Sequence, residues 1–74
     1  MEIKFMYNSE FAYEILMTHD YKTVYVTLYH MDKELNKWVE TELRTKIETE
    51  YTDDFYMFLD EIIEKLIKEF KEND

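Results

Sequence analysis

Seventy-four residues, eighteen of them acidic and nine basic, give a net charge of −9. No apolar run approaches the roughly 18 residues of a membrane span, and the opening MEIKFMYNSE lacks the basic-then-apolar order of a secretory leader. The acidic excess works against direct binding to nucleic acid or to an anionic membrane surface, since both need clustered Lys and Arg, and with no cysteine there is no disulfide or thiolate–metal staple.

A chain of this length is read as a single domain over 1–74. Small domains bury a low fraction of their surface, and here seven Tyr, five Phe and one Trp supply the apolar mass that a small core needs. The first element is a strand over about 2–8, where Ile3, Phe5 and Tyr7 alternate with Glu2, Lys4 and Met6. Asn8-Ser9 suits a turn. A second strand follows over about 10–18, with Phe11, Tyr13, Ile15 and Met17 opposite Glu10, Ala12, Glu14 and Leu16. After a break at His19-Asp20, the β-branched and aromatic run 22–31 reads as a third strand, Val24, Val26 and Leu28 on one side, Tyr25, Thr27, Tyr29 and Met31 on the other. Asp32 to Asn36 form a polar turn, and alternation resumes over 37–47 with Val39, Leu43 and Ile47 opposite Trp38, Glu40, Glu42 and Arg44.

From Thr52 the period changes. Phe55, Phe58, Leu59, Ile62, Ile63, Leu66, Ile67 and Phe70 recur at spacings of three and four, which predicts an amphipathic helix over about 53–72. Thr52 is a suitable N-cap with Asp53 and Asp54 behind it, and Lys65, Lys68 and Lys71 fit the C-terminal dipole. The expected fold class is α+β: a four-stranded antiparallel meander with one C-terminal helix on one face, ββββα. Ile3, Phe5, Tyr13, Ile15, Val24, Val26, Leu28, Val39 and Leu43 are expected beneath the helix. The opposite sheet face, with Met6, Leu16, Tyr25, Tyr29, Met31 and Trp38, is expected to be open to water or a partner.

Charge is unevenly placed. Residues 1–47 hold eight acids and six bases, whereas 48–74 hold ten acids and three bases. Such a field speeds encounter with a basic partner and repels acidic ones. Helix design alone accounts for part of it, through first-turn acids and the favourable pairs Glu61–Lys65 and Glu64–Lys68. It does not account for Glu48 and Glu50, which precede the helix, or for Asp60 beside Glu64. Along a strand, Glu40 and Glu42 are about 6.6 Å apart, near the spacing of successive phosphates on a nucleic-acid strand.

Catalysis finds little footing: one Ser, two His, no Cys for a nucleophile, and no Gly for a phosphate loop. His19 and His30 lack the further ligands of a metal site. The chain is therefore expected not to be an enzyme and to need no cofactor or metal. The expected partner is a basic protein, itself built to bind nucleic acid. The acidic surface is assigned to Glu40, Glu42, Glu48, Glu50, Asp53, Asp54, Asp60, Glu61 and Glu64, and apolar anchors to Tyr25, Tyr29, Met31 and Trp38.

Absent Gly and Pro, single Ala12, Ser9 and Arg44, and abundant Lys, Ile, Tyr, Phe, Asn and Met point to an AT-rich genome, that of a low-GC bacterium or one of its phages. The expected location is the cytoplasm, that of the host if the gene is a phage's. By size, charge and inferred origin the chain is similar to the small acidic proteins with which phages inhibit host nucleic-acid-binding proteins. That resemblance implies a DNA-mimic inhibitor and carries no site residues. Two rivals stand beside it: an assembly module that homodimerises through the sheet face, and an antitoxin or immunity protein.

Overall fold

A computed structural model describes the backbone of residues 2–20, 22–48 and 52–73, and the side chains of 4–20, 22–48 and 58–73. Four strands, β1 (Glu2–Met6), β2 (Phe11–Met17), β3 (Thr23–Asp32) and β4 (Lys37–Glu48), precede one helix, α1 (Thr52–Glu72). The strands form one antiparallel sheet in sequence order, β1-β2-β3-β4, so the ββββα meander expected from the periodicities is the fold.

Each turn is held by a short polar side chain acting on its own backbone. Asn8 Oδ1 accepts from the amides of Glu10 and Phe11, each at 2.8 Å, and this local bonding ends β1 at Met6 rather than at residue 8. Between β2 and β3, Asp20 accepts from the Thr18 hydroxyl at 2.6 Å and from the Lys22 amide at 3.0 Å. These bonds to the charged form hold the Asp20 carboxyl below its usual range. Asp32 Oδ1 receives the amides of Glu34 and Leu35, and Asn36 closes the last hairpin at φ 53°, a left-handed conformation that Asn tolerates better than most residues.

The core lies between the helix and one sheet face. Leu59, Ile63 and Leu66, spaced four and three apart, are buried with Phe11, Ile15, Val24, Val26 and Leu28. Tyr7, Tyr13, Leu43, Ile47, Ile62 and Phe70 pack around them, partly exposed. The helix covers the middle of the sheet, which corrects three expectations. Phe5 on the edge strand β1 is 41% exposed and Val39 on the edge strand β4 is 38% exposed. Phe58 is 53% exposed because it is about 100° round the helix from Leu59. Phe11, not among the residues expected beneath the helix, is 1% exposed at its centre. Expected placements of Ile3, Phe55 and the Thr52 cap concern side chains outside the described residues.

The β3–β4 pairing is interrupted once. Thr27 is opposite Arg44 and Tyr29 opposite Glu40, so the single residue Leu28 faces Thr41, Glu42 and Leu43. The Thr41 hydroxyl fills the gap, donating to the Leu28 carbonyl at 2.7 Å. The bulge keeps alternation in phase: Arg44 is four positions after Glu40, and both stay on the face away from the helix.

Candidate partner-binding surface

The sheet face away from the helix is closed by a polar row. Lys4, Glu14, Thr27 and Arg44 are in register across all four strands. Glu14, only 8% exposed, accepts the Tyr29 hydroxyl at 2.9 Å and lies 3.8 Å from Lys4 Nζ. Lys4 also sits 5.0 Å above the Tyr29 ring, and Arg44 lies 5.7 Å above that of Tyr25 while its Nε donates to the Thr27 hydroxyl at 2.9 Å. Burying a carboxylate is costly unless such partners replace its lost solvation.

This row corrects the picture of an open apolar face. Of the six residues expected to be open there, Met6 alone is exposed; Tyr29 is buried, and Leu16, Tyr25, Met31 and Trp38 are half-buried. Among the proposed anchors, Tyr29 is thus engaged in bracing Glu14. The first turn centres on Ser9, which sets Lys4 directly opposite Glu14.

The predicted acids fall into separate groups. Asp60, Glu61 and Glu64 are exposed on α1 and line a hollow beside Tyr7, the residue after β1. Tyr7 donates its hydroxyl to Glu64 Oε1 at 2.8 Å. That bond, with partial burial and the negative charges of Glu64 and Asp60, raises the phenol above its ordinary value. Glu40 and Glu42 instead border a groove of about 750 Å³ between β4, the β3–β4 turn and the end of α1, whose walls include His30, Val39, Leu43 and Phe70. Glu48 lies at the other end of β4, 3.3 Å from Lys46. Glu50 and the side chains of Asp53 and Asp54 are outside the described residues.

Among the described residues the ion pairs are Lys4–Glu14 and Lys46–Glu48. Neither Glu61–Lys65 nor Glu64–Lys68 is one of them, so the helix acids are not neutralised along their own helix. His30 is wedged between Phe11 and Phe70, with ring centroids at 5.2 and 4.8 Å, a packing position rather than a polar one. Among the described residues no three His, Asp or Glu side chains gather in a metal-holding group, and no helix is long and apolar enough to cross a membrane. No family model matches the chain, and comparison with curated proteins and solved structures gives no match.

Proposed function

We propose that this chain is a binding domain for a basic protein, and that the helix flank Asp60–Glu61–Glu64 stands in for nucleic-acid phosphates on a surface built to hold them. The observation that carries the reading is the state of those carboxylates: exposed, adjacent, and without a cationic partner among the described residues. Unpaired carboxylates retain their field and lose little on meeting Lys or Arg. The acids of β4 suit the role less well, because Lys37, Arg44 and Lys46 offset Glu40, Glu42 and Glu48 and leave the strand without net charge. Tyr7, whose hydroxyl fixes Glu64, orients the flank.

The test is capture of proteins from a nuclease-treated low-GC bacterial lysate on the immobilised chain, followed by competition with duplex DNA. The expected result is a nucleic-acid-binding protein that DNA displaces and that the Asp60→Lys, Glu61→Lys double variant no longer holds. Capture of the same protein by that variant, or a complex indifferent to DNA, would sink the reading.

A further inference from the structure

Beyond the helix flank, the edge of the sheet carries a second surface. We infer that β4 is a pairing edge for a second copy of this chain, added antiparallel with Leu43 opposite its own counterpart. β4 is the longest strand, twelve residues, and pairs on one side only, with β3. An unpaired edge of that length is a template for another strand.

The side chains specify the register. With Leu43 on the two-fold axis, Glu40 faces the second copy's Lys46 and Glu42 faces its Arg44; the symmetry then repeats both pairs. On the helix side, Val39 meets Ile47, Thr41 meets Thr45, and Leu43 meets itself. Moving the axis to Glu42 sets Glu42 against Glu42. Moving it to Arg44 sets Arg44 against Arg44 and Glu40 against Glu48. Among these neighbouring registers that keep both helices on one face, only the axis at Leu43 makes every charged pair from Glu40 to Lys46 an attraction. It is an isologous contact, and it closes.

Two further observations agree. β4 has three acids and three bases within a chain of net charge −9, so it is a neutral strip along which two acidic molecules can meet. Of the apolar side chains left exposed at the helix–sheet margin, Phe5 lies at the β1 edge, and Val39 and Phe58 lie toward this one. Val39 is on β4 itself. Asp60 and Glu64 face Tyr7, the residue after β1, so helix geometry puts Phe58, about 200° round from Asp60, on the flank toward β4. The bulge of Thr41, Glu42 and Leu43 includes the axis residue, while Glu40, Arg44 and Lys46 on either side of it pair regularly with β3. The inference is independent of the basic-partner reading.

Sedimentation equilibrium over a range of concentrations tests it. The expected species is twice the 9.3 kDa chain. Glu40→Lys makes the chain less acidic, which by overall repulsion alone would favour association; here it sets Lys against Lys46 and should weaken the dimer about tenfold. Lys46→Glu should weaken it similarly, and an equimolar mixture of the two variants should restore it as a heterodimer. Glu72→Lys, on the exposed end of α1, is the control for charge alone. A wild-type chain that stays monomeric throughout, a Glu40→Lys variant that associates no more weakly than Glu72→Lys, or a mixture that fails to associate would overturn the inference.

Discussion

Glu14 shows how a single residue can be costly and still be retained. Its carboxylate is buried on the sheet face without the helix, held by the Tyr29 hydroxyl and approached by Lys4. Removing one partner from a buried charge costs more than the bond itself contributes, because the acceptor is left short of solvation. Tyr29→Phe is therefore expected to destabilise the fold by about 1–3 kcal/mol in urea unfolding, with little change in compactness. Tyr7 supplies a second expectation at this scale. Its phenol is raised from 10.0, first by the hydrogen bond to Glu64, so on the alkaline side the folded chain holds a proton that the unfolded chain releases. That contribution is complete below pH 10.0 and is lost as the pH rises through the higher folded value. Urea midpoints measured across this range should fall for the wild-type chain and fall less steeply for Tyr7→Phe.

At the scale of elements, the helix and the sheet divide the work unequally. Ile63 is fully buried at the centre of the helix stripe and Phe58, five residues earlier and nominally on the same stripe, is half in water. Ile63→Ala should cost about 2–5 kcal/mol, and Phe58→Ala about 0.5 kcal/mol or less in the monomer; equal losses in thermal unfolding would mean that the helix is seated differently. This contrast marks what was legible in the sequence. The change of period at Thr52 reveals the helix, and strict alternation reveals four strands and the faces of Val24, Val26 and Leu28, because periodicity is a property of one segment. How far the helix extends over Phe5 and Val39 is not, since it depends on the relative placement of two elements. The polar row Lys4–Glu14–Thr27–Arg44 was concealed for the same reason: each member looks like an ordinary outward-facing residue on its own strand, and only four registers together bring them into line. The acids of the candidate surface were legible as a charge excess, whereas their division between helix flank and β4 edge required the fold.

At the scale of the whole molecule, charge sets two interactions against each other, and salt separates them. A complex between the helix flank and a basic protein joins opposite charges, so added salt screens an attraction and should weaken it steeply. Two copies meeting along β4 carry the same net charge of −9, and what salt chiefly screens there is their mutual repulsion. The local pairs Glu40–Lys46 and Glu42–Arg44 are screened too, but they bridge a strip of no net charge while the long-range field is repulsive everywhere else. Moderate salt should therefore leave the dimer unchanged or tighten it under the same conditions in which it releases the basic partner. The folded monomer should follow the dimer rather than the complex, because self-repulsion opposes compaction: its thermal midpoint is expected to rise with ionic strength. A midpoint that falls with salt would mean that the acids are held by attractive contacts, and the helix flank would then have no free field to offer a partner.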